Sequence, residues 1–104
     1  MRISRDELDE ARSAAETAAE AALMAKEIAR ALKDLGGEAH RRDVITAIAR
    51  RKGHSPRHIP RPLEARILQI FDEMLRTGEP VDGHVFHLRF GPGSHRWGLR
   101  ATGE

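Results

Sequence analysis

The chain has 104 residues, no cysteine and a formal net charge of +2, which suits one domain with one core and excludes a disulfide framework or a thiolate-metal site. No apolar run approaches the roughly 18 residues of a membrane span, and Met1 opens no signal-peptide pattern, so the expected setting is the cytoplasm, without a membrane partner. The small net charge hides an uneven spread: residues 36–66 carry eight bases against three acids, whereas residues 1–35 carry six against eight and residues 67–104 four against five.

The first predicted element runs from Ser4 to Leu35. Ser4 with Glu7 three residues later forms a capping box, and Asp6, Glu7, Asp9 and Glu10 favour the positive end of a helix dipole. Gly36-Gly37 supplies the stop. About 30 helical residues would be roughly 45 Å long, more than so small a domain can cover. Met24, Ile28, Leu32 and Leu35 form a stripe suited to a core. Leu8, Ala11, Ala15, Ala18, Ala22, Ala25, Ala29 and Leu32 follow a 3-4 repeat, the pattern of a helix seam in which alanine lets two backbones approach. Residues 1–23 are therefore expected to form a helical extension that pairs two copies through Leu8, Ala11, Ala15, Ala18 and Ala22, and residues 24–101 the domain proper. Alanine is also the best helix former, which by itself accounts for an apolar look on any face.

A second, shorter helix follows in "EAHRRDVITAIARRKG", with Val44, Ile45, Ile48 and Ala49 on its apolar side and Gly53 at its end. Arg50, Arg51 and Lys52 in its last turn complement the negative dipole end. "HSPRHIPRP" holds three X-Pro pairs and must be a connection. Pro62 is suited to the first position of a third helix, whose core stripe is Leu63, Ile67, Ile70, Phe71, Met74 and Leu75. Ala65, Arg66, Gln69, Asp72, Glu73 and Arg76 fall on the opposite arc, and Gly78 with Glu79-Pro80 ends the helix.

The last element, "HVFHLRFGPGSHRWGLR", reads as a hairpin reversed at "GPGS". Alternation puts Phe86, Leu88 and Phe90 on one face of the first strand and His87 and Arg89 on the other. In the return strand Trp97 and Leu99 share one face, and Arg96 and Arg100 the other. A lone hairpin is marginal in water, so its apolar face must cover the helices.

The expected fold class is thus mainly α with a small β-hairpin or sheet. Helix, helix, proline-rich turn, helix and basic hairpin is the order of a winged helix-turn-helix domain, with "EAH" as a short strand that joins the hairpin. The stretch "ALKDLGGEAHRRDVITAIARRKG" also resembles the start of the N-terminal winged-helix domain of Mrr-like restriction-system proteins, over roughly residues 25–100. The 104 residues hold no nuclease motif, so cleavage is not carried over, and the link between the second and third helices is longer than a tight helix-turn-helix turn. The resemblance implies a third helix that enters a major groove and a hairpin that serves as the wing.

The middle third, at eight bases to three acids, creates a positive field that attracts nucleic acid. The expected partner is double-stranded DNA, contacted by Arg41, Arg42, Arg57, Arg61, Arg66, Gln69, Arg89, His95 and Arg96. Arg61 and Arg66 suit guanine O6/N7 and Gln69 adenine N6/N7, while the wing arginines reach phosphates or a minor groove. Asp72 and Glu73 would repel phosphate, which limits deep contact to the first two turns. Arginine outnumbers lysine 15 to 3 and alanine also occurs 15 times, a bias that fits a GC-rich bacterial genome. A small bacterial transcription regulator or nucleoid-associated protein is the expected function. The competing expectation is a winged-helix protein-interaction module that binds no DNA, drawn from the acids on the third helix, the long first helix and the small net charge. No enzyme, cofactor or metal site is expected. His54 and His58 lie in the proline-rich connection, His84 and His87 face opposite sides of a strand, and "GPGS" lacks the strand-to-helix setting of a phosphate loop.

Overall fold

A glycine pair shapes the first half of the molecule. A computed structural model describes residues 5–102, with side chains from residue 17 onward. Helix α1 (Arg5–Asp34) is 30 residues long and closes in a Schellman motif. The Gly37 N–H donates to the Leu32 carbonyl at 2.7 Å and the Gly36 N–H to that of Lys33 at 3.1 Å. Gly36 at φ 96° and Gly37 at φ 93° are what such a reversal requires of the backbone. The chain then turns straight into strand β1 (Glu38–His40).

Helix α2 (Arg41–Arg51) starts on a histidine. The His40 Nδ1 accepts from the Arg42 N–H at 3.0 Å, which satisfies one of the orphan donors of the first turn. The same Schellman arrangement closes α2, where His54 N–H donates to Ala49 and Gly53 N–H to Arg50. A turn at Ser55–His58 leads on to α3 (Arg61–Thr77), which ends on Gly78 in the left-handed region at φ 69°. Pro62 sits one place further into α3 than the sequence pattern places it, because Arg61 is already helical and Pro60 is the cap. Its missing N–H is one of the unpaired first-turn donors in either position. After α3, Val81 and His84 exchange hydrogen bonds across Asp82-Gly83. Asp82 at φ 50° and Gly83 at φ 78° match the primed turn that joins tightly paired strands.

Strands β2 (His84–His87) and β3 (Arg96–Ala101) follow. The three strands form one antiparallel sheet in the order β1-β3-β2, so the last strand lies in the middle. Its helix-facing side carries Ala39, Phe86, Trp97 and Leu99. Phe71 of α3 lies against that side, its ring stacked on Trp97 at 3.9 Å and 4° and on Phe86 at 5.0 Å and 29°. Around this triplet the core is built from Met24, Ile28, Leu32, Val44, Ile45, Ile48 and Ile67. Among the described residues, no buried side-chain polar atom lacks a partner, and no helix is long and apolar enough to cross a membrane.

Two apolar expectations fail. Leu35 belongs to the stripe of Met24, Ile28 and Leu32 but is 40 % exposed, because the Schellman turn bends the chain off the helix surface at that point. Phe90 is 65 % exposed. Strand β2 stops at His87, so the period-two argument that pairs Phe90 with Phe86 no longer applies. The Ser4–Glu7 capping box, the acids of the first turn, and the side chains of Leu8, Ala11 and Ala15 lie outside the described residues.

Candidate nucleic-acid interface

The start of α2, one edge of α3 and the loop at 88–95 converge. The Arg41 N–H donates to the His95 carbonyl at 2.7 Å, which extends the β1–β3 ladder by one residue and brings the end of the loop to the first turn of α2. A shallow pocket of about 320 Å³ opens there, lined by Arg41, Leu68, Asp72, Leu88 and His95 among others. A second of about 210 Å³ adjoins it, lined by His40, Arg41, Arg42, Glu64 and His95. The His40 and His95 rings meet edge to face at 5.8 Å. Arg42 Nη1 lies 3.8 Å from Glu64 Oε1. Arg61 is the first residue of α3, and Arg57 lies in the turn before it. Both are exposed, and neither has an ion pair among the described residues.

The outer face of the sheet is a second charged surface, organised by an acid. In register Glu38 stands opposite Gly98 and Gly98 opposite His87. Gly98 leaves space over the central strand, and a Cβ there would come within 2.8 Å of the His87 Nε2. The Glu38 carboxylate accepts from Arg96 Nε at 2.5 Å and lies 3.8 Å from Arg89 Nη1. The Arg96 hydrogen bond is the largest effect, and with the charges of Arg96, Arg89 and His87 it holds the Glu38 carboxyl below the usual carboxylate value, against an opposing effect of burial that exceeds each charge taken singly. Arg100 lies across from Val85 on β2 and is exposed.

The sequence-derived contacts therefore divide. Arg41, Arg42 and His95 surround the junction of α2, α3 and the loop, while Arg61 opens α3 and Arg57 lies in the turn before it. Arg89 and Arg96 stand together on the outer sheet face, where Glu38 partly neutralises both. Gln69 is exposed on α3. Arg66 is the exception. It turns toward α1, 3.4 Å from Glu20, and lines a cleft of about 860 Å³ with Leu23, Lys26, Glu27 and Lys52. Position 66 flanks Leu63 and Ile70 on the α1 side of α3, a distinction that a two-sided helical wheel does not make. The acids also separate: Asp72 lines the pocket beside the loop, and Glu73 lies in a groove of about 410 Å³ on the α1 side. Ala18 and Ala22 line that groove and are exposed, whereas Ala25, Ala29 and Leu32 of the same repeat are buried in the core.

Three features escape the sequence reading. Once "EAH" is taken as a strand, alternation puts Glu38 and His40 on the outer side of the sheet, and so signals the counter-ion of Arg89 and Arg96. A short polar side chain is the usual helix cap, which hides His40. Phe90 has the spacing of a core residue. Among the described residues, no group of three or more His, Asp or Glu is placed to hold a metal ion. Comparison of the chain with protein-family models, with curated proteins and with solved structures finds no match in any of the three.

Proposed function

We propose that the domain is a winged helix-turn-helix that binds double-stranded DNA, with α3 as recognition helix and the 88–95 loop as wing. The arrangement of three helices with a β1-β3-β2 sheet is the order of elements that such a domain requires. The observation that carries the reading is the convergence of Arg41, Arg42 and His95 on the junction of α2, α3 and the loop, where a duplex backbone would run, with the exposed Arg61 opening α3. Phosphate contacts from these side chains position the protein, and base edges are left to the exposed first turns of α3. Gln69 stays in that role. Arg66 positions α3 against α1 through Glu20 and is withdrawn from base reading.

A homodimer through α1 is part of the same proposal. Ala18 and Ala22 are exposed on the line of the heptad repeat, just beyond the point where burial begins. Two recognition helices carried by one pair would read two half-sites.

Fluorescence anisotropy with a random duplex at several salt concentrations tests the reading. The logarithm of the affinity should fall linearly with the logarithm of salt concentration, with a slope of about 0.9 per phosphate neutralised. The competing reading, a protein-docking module, draws on Glu64 and Asp72 in the seam and on the pairing of Arg42, Arg89 and Arg96 with acids. It predicts no duplex affinity, or one that hardly responds to salt.

A further inference from the structure

The tip of the 88–95 loop exposes an aromatic ring that the fold does not use. Two turns stand back to back there. Gly91 N–H donates to the Leu88 carbonyl at 3.1 Å and Ser94 N–H to the Gly91 carbonyl at 3.2 Å. In the second turn Pro92 precedes Gly93 at φ 83°, the sequence and conformation of a type II turn, which stiffens the loop. Arg89 and Phe90 are the two central residues of the first turn, so both project. Leu88, just before them, is half-buried and packs on the core, which roots the turn. Phe90 is 65 % exposed, the highest value among the large hydrophobic side chains described.

Its neighbours give the ring a chemical context. The Arg89 guanidinium carbon lies 5.4 Å from the Phe90 ring centroid, and the same arginine reaches back to Glu38. A single apolar ring on a stiff tip, with a cation at its base and glycines beside it, is a poor patch for a protein partner, which would bury more apolar area around it. It fits a polyanion with stacked planar groups inside. We infer that Phe90 is a wedge: it inserts from the minor-groove side into an easily unstacked pyrimidine–purine step of duplex DNA, while Arg89 meets the adjoining phosphate or groove edge. The inference rests on the DNA-binding reading above. Apolar wedges of this kind unstack a step and kink the duplex, and the cost is least at TA and CA/TG steps. The wing would then select deformable DNA without any base-edge hydrogen bond.

The test uses the full chain with two duplexes that differ in one central step, TA in one and an A-tract step in the other. A 2-aminopurine in the TA step reports unstacking. Wild type should raise its emission and bind the TA duplex more tightly than the A-tract. Phe90→Ala should abolish both effects, with TA affinity about tenfold lower and an unchanged salt slope. Phe90→Leu, which keeps an apolar wedge, should retain part of each. Since the ring is exposed, thermal melts of the variants should match wild type. Salt-dependent duplex binding with no change in emission, and with Phe90→Ala equal to wild type, would overturn the wedge and leave the DNA reading standing. A Phe90 effect of equal size on the single strand would also overturn insertion, in favour of stacking on an unpaired base. No binding to either duplex would remove the DNA reading, and the wedge with it.

Discussion

Phe71→Ala is the sharpest test of how the sheet is fixed to the helices. The ring is 1 % exposed and stacks on both Trp97 and Phe86. Truncating a buried Phe costs about 3–5 kcal/mol, of which the transfer and cavity contributions are the larger part. Two ring contacts, each worth about 0.5–1.5 kcal/mol beyond area, place this site toward the upper end, at about 4–5 kcal/mol. Domains of this size are stable by only about 5–15 kcal/mol, so the variant should melt roughly 20 °C lower or be largely unfolded. Phe71→Leu keeps most of the apolar volume and loses the stacks, and should cost about 1–2 kcal/mol. Trp97 is the only tryptophan and touches the mutated ring, so its emission reports both native packing and unfolding. The assay is urea denaturation followed by that emission and by far-ultraviolet circular dichroism. A midpoint for Phe71→Ala within about 0.5 kcal/mol of wild type would show that the aromatic stack does not fasten the sheet.

Arg41→Ala combined with Arg61→Ala should leave the melt nearly unchanged, while the salt slope of duplex binding falls by about one for each phosphate that is no longer neutralised. Glu38→Gln should do the reverse, because it frees Arg89 and Arg96 from their shared counter-ion: titration of a random duplex should show higher affinity and a steeper slope. The same variant carries a pH signature. The Glu38 carboxyl titrates below its ordinary value of 4.5, so its contribution to stability is present above that value and is lost as pH falls through the lowered one. Wild type and Glu38→Gln should therefore converge in acid denaturation only below about pH 4.5. Removal of residues 1–20 should leave a folded domain by circular dichroism, since among the residues whose side chains are described the buried set begins at Met24. Sedimentation should find it monomeric where the full chain is dimeric, and a monomeric full chain at tens of micromolar would count against the α1 pairing.

The helices were legible because their signals are local. Glycine pairs or single glycines close α1, α2 and α3, and the apolar spacing of Ile67, Ile70 and Phe71 marks the face that packs. The strand "EAH" was legible from the order of elements rather than from its three residues. The 88–95 loop was harder, since its geometry depends on where pairing stops. A strand that ends at His87 turns Phe90 outward, and nothing in the alternation of residues 84–90 announces that end. "DG" at 82–83 did carry a hairpin signal of its own, one short of flanking alternation. At the site, position on the α3 wheel separates exposed from buried but does not say which neighbour an edge residue meets, so Arg66 and Gln69 look equivalent. Counter-ions were the least visible. Arg96 and Glu38 are 58 positions apart, and only strand pairing brings them together.

The cap on α2 makes one side chain serve two elements. His40 accepts from the Arg42 amide through Nδ1, a bond that requires the ring to carry its proton on Nε2. The same ring meets that of His95 edge to face at 5.8 Å. The start of the helix and the end of the loop are therefore set by a single imidazole. A serine or aspartate at position 40 could cap α2, but it is too short to meet His95 as the ring does, and the loop would lose its footing beside Arg41.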